Sequence, residues 1–259
     1  MSRVLIVTGG SRGIRATTCH RAANEGYSVA VIYQKDDQAA ELLVKEINYS
    51  GKNAIAIRAN VTNETDFISI FDQVKDQLGT PTGLVNSAVI GGKHMSVSDL
   101  DKATLDLLMN VNVIGTMLCC REASRRMSTT KGGLGGAVVN VSSMAGTIGG
   151  RPGNSAYAAS KAAVDAFTVG FAKEVGTQGI RVNAVRPSVT ITDMISRVRD
   201  NIEIRKNIES TIAIKRTANV NEMAAPIMWL LSNEASFISG CRLDASGGGF
   251  IIGASTSGK

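Results

Sequence analysis

Tyr157 and Lys161 are the residues whose types and spacing most clearly allow chemistry, because they stand four positions apart in the segment YAASK. Side chains at positions i and i+4 of a helix lie on one face, so we expect the phenol and the ammonium group to act together. A tyrosine has an ordinary pKa of about 10, which a neighbouring ammonium group lowers by stabilising the phenolate. The spacing therefore predicts an acid–base pair. The same pattern also arises by chance, where a partly buried tyrosine precedes a solvated lysine.

A hydroxyl group is expected close to this pair. The segment 139–143 reads VNVSS, which is typical of a buried strand that ends in two serines shortly before Tyr157. Open α/β sheets bind their ligands at the carboxyl ends of the strands. Ser143 is therefore a candidate donor to a carbonyl oxygen. The alternative for a serine in this place is that it caps a turn.

A glycine-rich turn follows the first apolar run and opens a helical stretch. It reads TGGSRGI and places Gly9, Ser11, Arg12, Gly13 and Ile14 around the expected helix N-terminus. Free backbone N–H groups and the positive end of the helix dipole converge there, and glycine lets a ligand approach the backbone closely. The turn predicts a site for the pyrophosphate of a dinucleotide, although some turns of this kind are purely structural.

The end of the second predicted strand bears on which dinucleotide is bound. A fold that prefers NAD usually carries a carboxylate there to hold the ribose hydroxyls. Here the segment 33–35 reads YQK. Lys35 and Arg12 would accommodate the extra phosphate of NADP. We therefore expect NADP(H) to be favoured over NAD(H), and the alternative is that both side chains are ordinary solvated charges.

These residues need a scaffold that brings strand ends together, and the pattern of the chain predicts one. Short β-branched runs alternate with stretches of helical periodicity, which is typical of βαβ units on a parallel sheet. Strands are expected over 4–8, 29–33, 54–58, 84–87, 137–141, 181–185 and 241–245. Helices are expected over 13–26, 36–50, 64–78, 101–127, 155–177 and 220–232. We predict an α/β fold, a doubly wound Rossmann-like domain with about seven parallel strands and helices on both faces.

The length of the chain suits one domain. Its 259 residues show no linker, so we predict a single domain over 1–259. The segment 187–218 follows a strand and is irregular, and we predict that it forms a substrate lid. The segment 249–259 is rich in glycine and serine and is expected to be a C-terminal tail.

Composition narrows the classes of partner. The net charge is +6, but Lys and Arg are scattered and only 4% of residues are aromatic, which argues against a nucleic-acid partner. The first apolar run is too short for a membrane segment. The four cysteines have no paired C-x-x-C spacing, which argues against disulfides and metal sites. We expect a cytoplasmic protein with reduced thiols, no metal, and neither nucleic acid nor membrane as a partner.

Taken together, the motifs resemble the short-chain dehydrogenase/reductase family, and the likeness runs from Thr8 to Gly248. The resemblance implies hydride transfer between a nicotinamide cofactor and a small-molecule carbonyl or alcohol substrate. It makes Tyr157 the proton donor or acceptor, places Lys161 on the nicotinamide ribose, and has Ser143 polarise the substrate oxygen.

The resemblance implies further sites and an assembly. Asn112, in the segment NVIG, would support a water relay, and its alternative is a helix-kink residue. Cofactor contacts beyond the glycine-rich turn fall on Asn60, Val61, Asn86, Ala88, Pro187 and Thr190. The segments TGGSRGI, YAASK, RVNAVRP and LDASGG resemble in particular bacterial 3-oxoacyl-carrier-protein reductases and glucose 1-dehydrogenases. The family also implies a homotetramer, for which 101–127 and 155–177 could supply the contact faces.

Four residues depart from the family pattern around the expected cofactor. Arg15 stands where the turn has its third glycine, Asn60 replaces an aspartate, and Val89 and Ser188 replace glycines. Asn60 keeps an acceptor and Ser188 is small, whereas Arg15 and Val89 add bulk. We expect Arg15 to hold strand and helix apart and to crowd the ligand. The other interpretation is that its guanidinium binds the pyrophosphate.

Two other functions stay open. The first is a family member that binds cofactor poorly and has a structural or regulatory role, although such a protein has no physical need for Asn112, Ser143, Tyr157 and Lys161 together. The second is an NAD-dependent sugar or polyol dehydrogenase. The apolar and basic content of the lid favours a carbonyl substrate with an acidic carrier. The residues concerned are Met194, Ile195, Arg197, Val198, Arg199, Ile202 and Ile204.

Overall fold

The structure, a computed structural model, describes residues 3–192 and 195–249 of the chain. Within that part, seven parallel strands form one sheet in the order β3-β2-β1-β4-β5-β6-β7. The strands are β1 (Arg3–Thr8), β2 (Tyr27–Tyr33), β3 (Ala54–Arg58), β4 (Gly83–Asn86), β5 (Gly136–Val141), β6 (Ile180–Pro187) and β7 (Arg242–Ala245). The predicted α/β fold with a parallel, doubly wound sheet is confirmed.

Helices connect the strands and cover both faces of the sheet. They are α1 (Gly13–Asn24), α2 (Asp37–Tyr49), α3 (Glu64–Leu78), α4 (Lys102–Met109), α5 (Gly115–Met127), α6 (Ala145–Ile148), α7 (Ser155–Val175), α8 (Ser196–Asp200), α9 (Ile202–Ser210) and α10 (Val220–Leu231). Several begin at a side-chain cap, as at Asp36, whose carboxylate accepts from the Ala39 amide at 3.1 Å. At the start of α10, Asn219 and Glu222 form a reciprocal capping box.

Two apolar layers hold the helices to the sheet. Alternate strand residues point to opposite faces, so Val4 and Ile6 of β1 pack with α3, α5 and α7. Leu5 and Val7 pack with α1, α2 and α10 on the other side. Because both faces are covered, several strands are almost wholly apolar, as the sequence pattern predicts and as the buried run 4–7 of β1 shows.

The connection between α4 and α5 differs from the prediction. The expected helix 101–127 is wrong in one respect, because a π turn at Asn110–Ile114 interrupts it. Apolar periodicity runs through the turn without a break, so the sequence gives no sign of it. Gly115 follows directly, and a Cβ there would lie 2.6 Å from the Val61 carbonyl oxygen. The turn therefore lets this helix approach the loop after β3, and π turns of this kind are common at functional sites.

Smaller differences concern the ends of elements. The strand β4 runs one residue earlier than predicted, and β7 begins at Arg242, so that Cys241 precedes it. The predicted lid, 187–218, contains α8 and α9. An isolated β-bridge between Thr190 and Ala218 connects the beginning of this segment to its end. Met194 and the tail from residue 250 onward lie outside the described residues.

Candidate active site

A cleft of about 740 Å³ opens at the carboxyl edge of the sheet. It lies at the point where the strand order reverses between β1 and β4, which is where open α/β sheets bind ligands. Ser143, Tyr157 and Lys161 line one part of it, and the start of α1 lines another. The structure therefore brings the predicted proton-transfer residues and the predicted phosphate turn into one cleft.

Lys161 is buried at the base of this cleft. Its Nζ donates to the Val141 carbonyl oxygen at 2.8 Å and lies 5.9 Å from the centroid of the Tyr157 ring. Burial, and next the positive charge of Arg15, lower the pKa of Lys161 to about 8, while Asp165 opposes the shift. Lys161 is thus close to its titration point at neutral to mildly alkaline pH.

Tyr157 does not have the lowered pKa that its neighbour Lys161 was expected to cause. Burial raises the pKa of the phenol, and a hydrogen bond with Ser143 and the charge of Arg15 only partly oppose this. The expectation was wrong because the Lys161 ammonium points to the Val141 carbonyl and the desolvation of Tyr157 is the larger effect. Tyr157 is therefore a protonated phenol at neutral pH, poised to donate.

Ser143 lies between the end of β5 and the start of α6, which together fix its position. Its Oγ accepts from the Ala145 amide at 3.1 Å, which is the capping role that was the alternative for this serine. It also interacts with the Tyr157 phenol, whose pKa it lowers, and its predicted role as a donor to a carbonyl oxygen stays a prediction. The neighbouring Ser142 donates to the Lys161 carbonyl oxygen at 3.1 Å and fastens β5 to α7.

Asn112 lies in the π turn and does not line the cleft. Its Nδ2 donates to the Ile90 carbonyl oxygen at 3.0 Å and to Ser160 Oγ at 3.1 Å, and its Oδ1 accepts from the Ile90 amide at 3.0 Å. Ser160 in turn donates to the Tyr157 carbonyl oxygen at 2.7 Å. The side chain of Asn112 thus joins the loop after β4 to the first turns of α7, and its predicted relay role stays a prediction.

A second charged group, one that sequence reasoning missed, lies one helical turn beyond Lys161. Asp165 is buried, and its Oδ2 accepts from Arg186 Nε at 2.9 Å. Arg186 also donates to Asp244 of β7 at 3.2 Å. The absence of a side chain at Gly146 makes room, since a Cβ there would lie 3.2 Å from Asp165 Oδ2. The i,i+4 spacing of Lys161 and Asp165 was the available signal.

The phosphate turn adopts the geometry that its glycines predict. Gly9 and Gly13 have φ values of +68° and +59°, which disfavour a side chain. Gly10 makes the close approach to the sheet, because a Cβ there would lie 2.9 Å from Val31 Cγ1. Unlike α2, α1 begins without a capping side chain. Its first N–H groups are therefore available to an anion.

Arg15 does not hold α1 away from the sheet, so that part of the expectation is wrong, while the expected crowding of the ligand stays a prediction. Its Nη1 lies 2.8 Å from the position that a Cβ on Gly9 would take, and the side chain lines the cleft with Tyr157 and Lys161. The side chain runs over the glycine turn instead of between helix and strand. The cleft therefore contains a cation where the family pattern has no side chain.

The loop after β4 is fastened to the end of β1. Thr8 Oγ1 accepts from the amides of Ser87 and Ala88 at 3.0 and 3.1 Å. Asn86 points away from the cleft and donates to Asn140 Oδ1 at 2.9 Å. Among the other predicted cofactor residues on this side, Asn60 accepts from the Thr62 amide at 3.0 Å, and neither Asn60, Val61 nor Ala88 forms part of the cleft wall.

The adenosine end of the predicted cofactor site contains a carboxylate that the sequence interpretation missed. Arg12 Nε lies 3.5 Å from Asp36 Oδ2, and both side chains are partly exposed. Asp36 comes directly after Lys35 and caps α2, and its N-cap position was the available signal. The expectation that the two cations meet no carboxylate near the end of β2 is therefore wrong.

The far wall of the cleft is formed by the segment after β6. Pro187, Ser188 and Thr190 line it, as does Val89 from the loop after β4. Ser188 Oγ is buried and has no hydrogen-bond partner among the residues that the structure describes. From the predicted lid, Ile195 and Val198 reach the cleft, together with Ile208 of α9, which the sequence interpretation did not include.

These features suit an elongated anion that ends near Tyr157. The uncapped start of α1 and the Arg15 guanidinium can hold phosphate, and the unpartnered Ser188 Oγ can bond a polar group deeper in the cleft. A nicotinamide dinucleotide has this chemistry. Within residues 3–192 and 195–249, no group of three or more His, Cys, Asp or Glu side chains could hold a metal ion.

Comparisons with known proteins agree with this geometry. A family model described as enoyl-(acyl carrier protein) reductase matches residues 9–249. The uncharacterized oxidoreductase YgfF of Escherichia coli K12 is 40% identical over 247 residues, covering 95% of this chain and 99% of that protein. The 3-oxoacyl-[acyl-carrier-protein] reductase FabG of Staphylococcus aureus Mu50 is 32% identical over 251 residues, covering 97% and 99%.

A solved structure gives the same result at the level of the fold. The crystal structure of a dehydrogenase/reductase from Sinorhizobium meliloti 1021 superposes with a TM-score of 0.88 at 32% identity, covering 95% of this chain and 94% of that one. The cleft, the residues that line it and the matched relatives lead to one conclusion: the chain belongs to the short-chain dehydrogenase/reductase family and is an oxidoreductase.

Proposed function

We propose that the protein is an NADPH-dependent carbonyl reductase that acts on 3-oxoacyl-type substrates. The observation that carries the proposal is the meeting of Ser143, Tyr157 and Lys161 in one cleft with the uncapped start of α1. The bound reduced nicotinamide supplies the hydride, and the protein supplies the proton and holds the substrate.

The state of Tyr157 favours the direction of reduction. Because burial raises the pKa of its phenol, Tyr157 carries the proton that a carbonyl oxygen needs as it becomes an alcohol. Ser143, which contacts Tyr157, orients the same oxygen. Lys161 can restore the proton of Tyr157 and hold ribose hydroxyls with its remaining donors. Asn112 and Ser160 position the first turns of α7 for this task.

The preference for NADPH rests on the end of β2. Arg12 and Lys35 supply two positive charges near the expected position of the ribose 2′-phosphate. Asp36 competes for Arg12 and limits the preference without abolishing it, because the pair is exposed. The name of the Staphylococcus aureus relative, a 3-oxoacyl-[acyl-carrier-protein] reductase, supports the choice of substrate class.

The lid side of the cleft suits an acyl chain. Ile148, Val189, Ile195 and Ile208 give this wall an apolar character. We infer that residues 187–218 act as a lid that holds the apolar part of the substrate against Tyr157. A sugar or polyol would need a larger number of polar side chains on this wall, so the sugar dehydrogenase is the weaker candidate.

We further propose a cytoplasmic homotetramer that folds as one domain. The described thiols Cys19, Cys119 and Cys120 are buried and free, in accord with a reducing compartment. The helical stretch Lys102–Met127 is long and apolar enough to cross a membrane by length and composition alone. Its exposed apolar residues, which include Leu107, Ile114 and Met117, are explained by contact with other subunits.

The test compares two cofactors and two substrates. Purified protein is given acetoacetyl-thioester with NADPH or NADH, and glucose with NADP⁺ or NAD⁺, and the absorbance of the reduced cofactor is followed. We expect NADPH oxidation with the thioester to be the fastest of the four reactions. Faster reduction of NAD⁺ by glucose would identify a sugar dehydrogenase. A protein that binds NADPH but reduces no member of a wider panel of carbonyl compounds would favour a non-catalytic role. A protein that does not bind NADPH would favour the same role.

A further inference from the structure

Arg15 occupies a central place in the cleft. It belongs to the first turn of α1, and its Nη1 reaches back over Gly9, 2.8 Å from where a Cβ would be. The glycine at position 9 is what leaves room for the guanidinium. From there the side chain lines the same cleft as Tyr157 and Lys161, so it lies between the phosphate turn and the proton-transfer pair.

Within residues 3–192 and 195–249, no acidic side chain pairs with the Arg15 guanidinium. Arg15 makes no hydrogen bond or ion pair with any residue in the described part of the chain, whereas Arg12, three residues earlier, pairs with Asp36. Arg15 is only partly exposed, and burial and the charge of Arg12 both lower its pKa. A shielded cation without a counter-charge is costly, and an anionic ligand removes this cost.

Three positive features therefore converge beside Gly9: the Arg15 guanidinium, the nearby Arg12 and the uncapped N-terminus of α1. A ligand that interacts favourably with all three features is an anion bound at the start of the helix. With a glycine in place of Arg15, the start of the helix would have to hold the anion without the guanidinium. The guanidinium lies close enough to Arg12 and to Tyr157 for both to shift its pKa.

We propose that Arg15 is a ligand of the cofactor's diphosphate and that it links the filling of this site to the Tyr157 and Lys161 pair. This inference rests on the proposed function, since it takes a nicotinamide dinucleotide as the ligand. It makes Arg15 a specificity residue for the diphosphate, which both NADPH and NADH carry, and not for the 2′-phosphate, which only NADPH carries.

Binding of the two cofactors tests the assignment directly. Dissociation constants for NADPH and NADH are measured by fluorescence titration with wild type, Arg15→Gln, Arg15→Lys and Arg15→Gly at one low ionic strength. We expect Arg15→Gln and Arg15→Gly to weaken both cofactors by about the same factor, tenfold to a hundredfold, and Arg15→Lys to weaken them less. Arg21→Gln, on the same helix but bonded to the Asn221 carbonyl oxygen, is the matched control for lost charge.

Each other result has a defined meaning. Tighter binding of NADPH and NADH by Arg15→Gly would show that the side chain crowds the ligand. Weaker binding of NADPH alone would assign Arg15 to the 2′-phosphate. Either result would overturn the proposal. Wild-type protein that binds neither cofactor would instead reject the proposed function. Thermal unfolding of each variant, measured alongside, shows that a loss of binding is not a loss of fold.

Proton uptake tests the link to the catalytic pair. The titratable and charged groups that face Lys161 are Arg15 from α1 and Tyr157 and Asp165 from α7, and Arg186 of β6 pairs with Asp165. Arg15 lowers the pKa of Lys161, so neutralising Arg15 with a diphosphate should raise that pKa above about 8. NADH binding at pH 8 should then take up protons, and Arg15→Gln should take up fewer. Equal uptake by the two proteins would overturn the link.

Discussion

The two ends of the cleft are held in different ways. Around Tyr157 and Lys161, three polar side chains have partners within the fold: Ser142 bonds the backbone of α7, Asn112 bonds Ser160, and Lys161 bonds the Val141 carbonyl. At the cofactor end, Arg15 has no hydrogen bond or ion pair in the described part of the chain, and Arg12 has only a partly exposed ion pair with Asp36. The first end is organised before a ligand arrives, while the second has charges that a ligand must complete. Mutation of Tyr157 should therefore change mainly the chemistry and mutation of Arg12 mainly cofactor affinity, whereas Arg15 connects the two ends.

The largest effect is expected at the organised end. Tyr157→Phe keeps the shape of the ring and removes the proton, so we expect turnover to fall by about 10²–10⁴-fold while NADPH binding stays within a few fold. Tyr49→Phe is the matched control, because Tyr49 is exposed at the end of α2. Steady-state kinetics and a parallel titration measure the two properties. Turnover close to that of the wild type would remove Tyr157 from the mechanism, and a large loss of binding would show that the two ends are not separable.

A smaller effect is expected at the cofactor end. We expect NADPH to bind about tenfold to a hundredfold more tightly than NADH, because Arg12 and Lys35 can pair with the 2′-phosphate. Asp36→Asn frees Arg12 and should increase this ratio by a further two- to fivefold. Asparagine is also a good N-cap, so the start of α2 should survive. Asp37→Asn removes the same charge one residue away. A ratio that does not change in Asp36→Asn would mean that Arg12 takes no part in cofactor choice.

The smallest expected effect is a shift in the pH dependence of kcat/KM, which involves residues of both ends of the cleft. The pKa of Lys161 is lowered to about 8 in the free enzyme, so kcat/KM for NADPH, which reports the free enzyme, should fall as pH rises through that value and the ammonium is lost. Asp165 opposes the lowering, so Asp165→Asn should move the fall about one pH unit lower and reduce kcat/KM about twofold at pH 7. A pH–rate profile of kcat/KM measures both. An unmoved alkaline limb in a folded Asp165→Asn protein would contradict the role given to Asp165.

Much of the fold could be predicted because it rests on local pattern. The strand Ala54–Arg58 was placed residue for residue, since an apolar β-branched run between two helical stretches has few other interpretations. The π turn at Asn110–Ile114 could not be predicted, because apolar periodicity runs through it without a break and the contact that it allows, between Gly115 and Val61, joins distant parts of the chain. The components of the site were predicted, but the direction in which Arg15 points was not.

Charge balance at the site was harder to foresee than residue identity. Tyr157 and Lys161 were predicted as a pair from their spacing, yet the pKa of Tyr157 is raised because desolvation depends on packing that no motif records. Asp36 was missed because its contact with Arg12 joins the turn after β1 to the residue that caps α2. Contacts of this kind follow from the three-dimensional arrangement of the strand ends.

The bridge from Asp165 through Arg186 to Asp244 also bears on the order in which the protein is made. Arg186 precedes Asp244 by 58 residues, so a ribosome that adds about 5–20 residues per second delivers the second carboxylate about 3–12 s after the arginine. Until β7 has been synthesised and added to the edge of the sheet, Arg186 lacks one of its two carboxylates and β6 remains an open edge. The charge balance behind Lys161 is thus completed only when the last strand docks, which makes the competent site a late product of translation.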